Sequence, residues 1–203
     1  MALREYARRP FELVPAFAVA LAHCSEALRV SERCASLGTG LGAGLSGLYR
    51  VTPYFAFGLT FAAYQFRIEP RPDSGLSGAG SSSLFAGVLG RVYFVPEGPV
   101  DPYLELGLGG GSFRTSAREL PHSTAYEETA SAPAARIGAG IDFSLGRAVR
   151  LGPALDWTAY GISRVRRCAG TVSCSELSAE LDSHPNGFVS LGARLGIAFG
   201  KPL

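Results

Sequence analysis

From Leu37 to Tyr49 the chain changes character at every step. Leu37, Thr39, Leu41, Ala43, Leu45, Gly47 and Tyr49 share one parity, and Gly38, Gly40, Gly42, Gly44, Ser46 and Leu48 share the other. A period of two belongs to a β-strand, whose successive side chains point to opposite faces. In a soluble sandwich the apolar face looks inward at a core. A face of Gly and Ser cannot shield Leu from water, so here the apolar face must meet lipid. Eight segments carry the pattern, at 36–49, 11–22, 54–66, 83–94, 103–113, 135–145, 150–161 and 188–199. Each is near the ~9 to 11 residues that a tilted strand needs to cross a bilayer. The expected fold is all-β: an eight-stranded, antiparallel, up-and-down transmembrane β-barrel forming one domain over residues 1–203.

Composition narrows the class further. The mean hydropathy is positive and 47% of residues are apolar, yet no window holds the ~18 to 20 apolar residues of a membrane helix. The 26 Gly residues are dispersed through the apolar segments, where they suit a narrow barrel interior, instead of pooling in linkers. A net charge of +2, with no basic run interleaved with aromatics, argues against nucleic acid as a partner. No phosphate loop, dinucleotide fingerprint or metal-ligand cluster is recognisable, and no cofactor is expected; Gly107 to Gly111 lies inside a strand pattern.

The connections alternate in length. They are short at 50–53, 96–102 and 146–147, and long and polar at 23–35, 67–82, 114–134 and 162–187. Antiparallel order gathers the long ones at one end. Bacterial outer-membrane barrels have short periplasmic turns and long external loops, so both termini are expected in the periplasm and the long loops outside. On the lipid side the predicted positions carry no charge; they include Phe55, Phe57, Leu59, Phe61 and Ala63, then Leu84, Ala86, Val88 and Val92, then Val189, Leu191, Ala193, Leu195, Ile197 and Phe199. The lumen side is predicted to hold Glu12, Arg91, Glu105, Arg136, Asp142, Asp156 and Arg194. Three cations facing four anions would pair and hydrate one another in a ring barely wide enough for its own side chains. Phe11, Tyr49, Phe55, Phe94, Phe143 and Phe199 fall outward at the short-turn ends, where they would form a periplasmic aromatic girdle.

Four cysteines occur as two local pairs in polar stretches, Cys24 with Cys34 and Cys168 with Cys174. Even number and loop placement suggest disulfides in an oxidising compartment, although three connectivities exist and four thiols are the alternative. Spacings of ten and six residues do not make a zinc knuckle. Pro15 and Pro153 fall within strands, each removing a ladder donor, and bulges are the expected accommodation. Arg4, Arg8 and Arg9, followed by the apolar Phe11 to Leu21 and by Ala20-Leu21-Ala22, also suit a signal peptide. Glu12 and Pro15 interrupt that apolar region, and its removal would leave an odd number of strands, so a first strand is expected there, with no export signal ahead of it.

On these patterns the chain resembles the small eight-stranded outer-membrane barrels, the family of the OmpA transmembrane domain and OmpX-like proteins. The turn segments Leu48-Tyr-Arg-Val-Thr-Pro-Tyr-Phe55 and Tyr93-Phe-Val-Pro-Glu-Gly-Pro-Val-Asp-Pro-Tyr-Leu104 carry the likeness, together with the final strand Phe188 to Phe199. The resemblance implies outer-membrane lipid, lipopolysaccharide and, during insertion, the barrel-assembly machinery as partners. That machinery reads a closing aromatic, here Phe199, which Gly200 to Leu203 follow.

The expected function is non-enzymatic: a membrane scaffold, or a mount presenting external loops to a ligand the sequence does not name. Arg164, Arg166 and Arg167 beside the last loop could touch lipopolysaccharide phosphates or simply be a solvated strand end. The family also holds lipid A deacylases and acyltransferases, whose chemistry needs a Ser, a His base and a carboxylate. Of His23, His122 and His184, two adjoin a serine (Ser123, Ser183), but no active-site motif surrounds them. A small-solute pore would need a lumen that the inward charges leave little room for. A soluble lipocalin would reverse the observed faces.

Overall fold

In the computed structural model, residues 9–23, 37–68, 76–96, 98–119, 124–146, 148–162, 164–169, 173–178 and 187–200 are described. Ten strands run in chain order: β1 (Phe11–His23), β2 (Leu37–Thr52), β3 (Phe55–Ile68), β4 (Leu76–Tyr93), β5 (Val100–Glu119), β6 (Thr124–Ser144), β7 (Val149–Tyr160), β8 (Arg164–Ala169), β9 (Ser173–Ser178) and β10 (Gly187–Phe199). Each of β1 to β6 pairs antiparallel with its successor, and β7 pairs with β10. Pairing of β10 with β1, from Phe11↔Phe199 to His23↔Gly187, closes the ring at eight strands. The hairpin β8–β9 adds to the far half of β6 outside that ring.

The parity of each strand survives into three dimensions. Phe17, Leu41, Leu59 and Leu191 are 70%, 69%, 69% and 62% exposed, while their inward neighbours Ala18, Gly42, Thr60 and Gly192 turn towards the lumen. Only a hydrocarbon solvent makes so large an apolar surface stable. All six expected girdle aromatics are exposed at the short-turn end, and Phe11 contacts Tyr49 and Phe199 with ring centroids 5.2 and 5.7 Å apart.

The short turns are built by local chemistry. The Thr52 hydroxyl accepts from the backbone N–H of Tyr54 and Phe55 at 3.3 and 3.1 Å. Asp101 accepts from the N–H of Val95 at 3.0 Å. Gly146 adopts φ +130°, a conformation that side chains disfavour. Strand β1, with Glu12 turned inward and partners on both edges, occupies the place that a signal peptide would have left empty.

Two expectations change. Pro15 and Pro153 do not sit in bulges: the register is the same before and after each, with Leu13↔Ile197 and Ala16↔Arg194 on one side and Gly140↔Ala154 and Phe143↔Leu151 on the other. Each proline merely interrupts a ladder on one side and keeps its partner on the other, Leu45 for Pro15 and Ala193 for Pro153. Losing one bond costs less than re-registering a strand whose two faces meet different solvents. The irregularities fall elsewhere, at Leu37/Gly40 and Arg50/Thr52 of β2 and at Ser77/Gly80 of β4. Of the polar stretch 23–35 only His23 is described. The other three polar stretches read as loops contain strand where they are described: β4, β5 and β6 continue far past the apolar belt into 67–82 and 114–134, and 164–169 and 173–178 pair as a hairpin. Their Ser and Thr residues pair across strands, as Ser81 does with Thr115 at 3.0 Å.

Leu59 lies near mid-height of the apolar belt and tests the solvent assignment. Leu59→Arg is expected to destabilise the folded barrel by ~2 to 4 kcal/mol, measured by urea unfolding in vesicles with the lipid-facing Trp157 as fluorophore.

Candidate functional site

All seven predicted lumen residues are buried, and most of them converge on one ionic cluster at mid-barrel. Glu105 on β5 accepts from Arg91 of β4 (Nε 3.2 Å, Nη2 3.0 Å) and from Arg194 of β10 (Nη1 2.5 Å to Oε2, Nη2 2.8 Å to Oε1). Arg194 also donates to Asp156 Oδ1 at 2.6 Å, and Arg136 of β6 donates to Asp156 Oδ2 at 2.9 Å. The Nε of Arg136 lies 3.6 Å from Glu105 Oε1. Residues on five strands thus meet only because the sheet has closed.

A second cluster sits nearer the short turns. Glu12 Oε2 accepts from Tyr93 at 3.0 Å, from Arg150 at 3.3 Å and from Arg50 at 3.4 Å. The Arg50 guanidinium covers the Tyr93 ring at 3.6 Å, and Arg91 covers Tyr103 at 4.3 Å. Asp142 stands opposite Asp101 across the β5–β6 ladder, both buried.

Arg50, Arg150 and Asp101 belong to this interior and were absent from the sequence-based set. Arg50 and Arg150 were placed in or beside short turns, and Asp101 in one. Their parity was the available signal: Arg50 continues Ser46 and Leu48, and Arg150 leads to Asp156, in steps of two. With them, the described buried charges are five arginines (50, 91, 136, 150, 194) and five acids (12, 101, 105, 142, 156). Full cancellation is what a low-dielectric interior demands, because an unpaired buried charge is costly.

Above the ions lies an aromatic plug. Tyr64 and Phe66 of β3, Phe85 of β4, Phe113 of β5, Tyr160 of β7 and Phe188 of β10 form one buried cluster. Phe188 meets Tyr64 at 4.5 Å and Phe66 at 5.5 Å between centroids, and Phe66 stacks on Phe113 at 5.7 Å. Both tyrosine hydroxyls are bonded, Tyr160 to Ser83 at 2.6 Å and Tyr64 to Ser190 at 3.2 Å. Inward glycines make the room: a Cβ on Gly40 would strike the Phe66 ring and one on Gly42 the Tyr64 ring. Between the plug and the ions, beside Asp156 and Arg194, a void of about 10 Å³ remains, space for about one water.

Cys168 and Cys174 face each other in the β8–β9 register and are joined by a disulfide. Cys24 and Cys34 lie outside the described residues, as do His122, Ser123, Ser183 and His184; His23 ends β1. Arg164, Arg166 and Arg167 all lie on β8, with Arg166 exposed.

A closed eight-stranded ring with an apolar exterior and a salt-bridged, aromatic-plugged lumen defines a membrane-spanning β-barrel, the architecture that bacterial outer-membrane barrels share. No family model and no curated protein matches the chain. Among solved structures it is similar to Neisserial surface protein A, at 16% identity and TM-score 0.56 over 93% of this chain and 97% of that one. It is also similar to a major outer membrane protein from Thermus thermophilus, at 12% identity and TM-score 0.63 over 93% and 99% of the two chains. The outer membrane protein OprG from Pseudomonas aeruginosa shares 13% identity at TM-score 0.58 over 95% and 98%. At these identities the shared property is the fold of the small outer-membrane barrels.

Glu105 holds three arginines, and its removal should be felt across the ring. Glu105→Gln and Arg194→Met are each expected to cost ~3 to 5 kcal/mol of unfolding free energy in vesicles. The double variant should cost clearly less than their sum, since both break one network.

Proposed function

We propose that this barrel is a non-enzymatic, non-conducting mount that presents a projecting β-wall outside the cell, with both termini in the periplasm. Uneven strand length carries the reading. β5 and β6 run 20 and 21 residues whereas β7 has 12. Crossing the bilayer consumes only ~9 to 11, so the far halves of β5 and β6 stand clear of it. The hairpin β8–β9 extends this wall, and among the described residues β9 pairs only with β8. An exposed strand edge stiffened by a disulfide is a surface suited to binding an extended segment of another protein. The orientation follows the rule that short turns face the periplasm. Lipopolysaccharide then surrounds the base of the wall, and Phe199 offers the assembly machinery its closing aromatic. The buried aromatic plug and the paired charges that occupy the lumen among the described residues support the absence of conduction.

An epitope inserted between Ala169 and Ser173 tests the orientation: antibody is expected to stain intact cells, and staining only after permeabilisation would overturn it. In planar bilayers the purified protein is expected to give no steady conductance. Reproducible open-channel steps would replace the mount with a pore.

A further inference from the structure

The register of the outer face marks where the barrel leaves hydrocarbon. One row of paired residues reads Leu41, Gln65, Ser82, Arg114, Thr129, Arg166 and Glu176 from β2 round to β9. The next row outward reads Arg67, Gly80, Ser116 and Glu127. Among the described residues, no outward position between these rows and the girdle carries a charge. The first guanidiniums met on climbing β3 and β5 are therefore Arg67 and Arg114, both exposed.

Beneath them lies a shallow, open groove of about 440 Å³ on the lipid-facing surface. Its outward lining is Leu41, Gln65 and Ser82 in the upper row and Ala43, Ala63, Leu84 and Ser112 in the row below, so it is apolar on the β2 and β3 side and bordered by polar groups on the others. The two arginines are separated by one strand, roughly 10 Å across the sheet. The residues between them, Gly80 and Ser82, are too short to screen one from the other; a Cβ on Gly80 would find only Gln65 Nε2 at 3.5 Å and Ser116 Oγ at 4.0 Å. Arg114 uses Nη2 on Glu127 at 2.6 Å, in a pair so exposed that water and salt weaken it. Arg67 has no acidic partner among the described residues. Arg166 differs, because Glu176 stands opposite it in the hairpin.

We propose that this facet of β3 to β5 binds a phosphorylated, acylated glycolipid of the outer leaflet, an acyl chain lying in the groove and phosphate oxygens reaching Arg67 and Arg114. Forked guanidinium donors match phosphate oxygens, and the charge complements an anionic headgroup. The hydroxyls of Ser82, Ser112 and Ser116 and the Gln65 amide match sugar hydroxyls, which a simple phospholipid phosphate would leave unanswered. The inference rests on the orientation proposed above, which puts these rows at the outer leaflet.

The test is native mass spectrometry of the purified full chain in detergent. It is offered in turn a bisphosphorylated lipid A, the same glycolipid after dephosphorylation, and phosphatidylglycerol. The wild type is expected to retain the first and neither of the others. The double variant Arg67→Gln/Arg114→Gln should retain ~10-fold less, as expected for losing two charge-assisted contacts. Ala63→Trp, which fills the groove without touching the charges, should lower retention as well. Both variants should keep the gel-mobility change on boiling that reports a closed barrel. Undiminished retention by either folded variant, or equal retention of phosphatidylglycerol, would overturn the proposal. Detergent removes sidedness, so this result is independent of the epitope staining that tests the orientation.

Discussion

Hydrocarbon offers backbone amides no hydrogen-bond partner, and every other feature of this molecule follows from that. Each N–H and C=O within the bilayer must be answered by a neighbouring strand, so an open edge is not tolerated and the sheet has to close. The β1–β10 ladder performs the closure. It juxtaposes Glu12 with Arg150 and Arg194 with Glu105, pairs 138 and 89 residues apart in sequence. Where the ladder is thinned, at Pro15 and Pro153, the register holds because a shift by one residue would turn arginines to lipid and leucines to the lumen.

Closure at eight strands leaves a lumen that side chains can fill, and this chain fills it in two ways. Towards the short turns it uses ions. Five arginines and five acids cancel, and carboxylates such as Glu105 and Glu12 are each shared among several donors. Away from the turns it uses rings, whose hydroxyls are both bonded to lumen serines and whose bulk fits because inward glycines lie opposite. Ion clusters tie together strands that share no ladder; Arg194 of β10 reaches β5 directly. The interior thereby acts as internal bracing for the ring.

The exterior divides at the row through Gln65, Ser82 and Arg114. Below it, among the described residues, the outward surface is uncharged and mostly apolar down to the girdle, as lipid requires. Above it, β5, β6, β8 and β9 continue as a wall rich in Ser, Thr, Arg and Glu. That boundary would put the proposed glycolipid facet and the proposed projecting edge on the same side of the molecule. A lipid held at Arg67 and Arg114 would sit against the base of the wall.

Two alternating faces, the absence of charge on one of them and the aromatics at one end were legible in the order of residues, because a strand places side chains by parity and lipid penalises charge. That reasoning reached Glu12, Arg91, Glu105, Arg136, Asp142, Asp156 and Arg194, which sit within strands. It stopped short of Arg50, Arg150 and Asp101, since turn boundaries blur parity, and of the plug, since an inward Phe66 and an outward Phe61 look alike until the register is known. Polar 114–134 read as loop because Ser and Thr serve loops and cross-strand pairs equally well. By itself, then, the sequence determined the solvent, the strand count of the ring and the sign of each face, all local consequences of a period of two. Tertiary structure alone decided which arginine meets which acid, that the lumen is plugged, and where the wall and the groove lie, because these depend on register and closure between strands far apart in the chain.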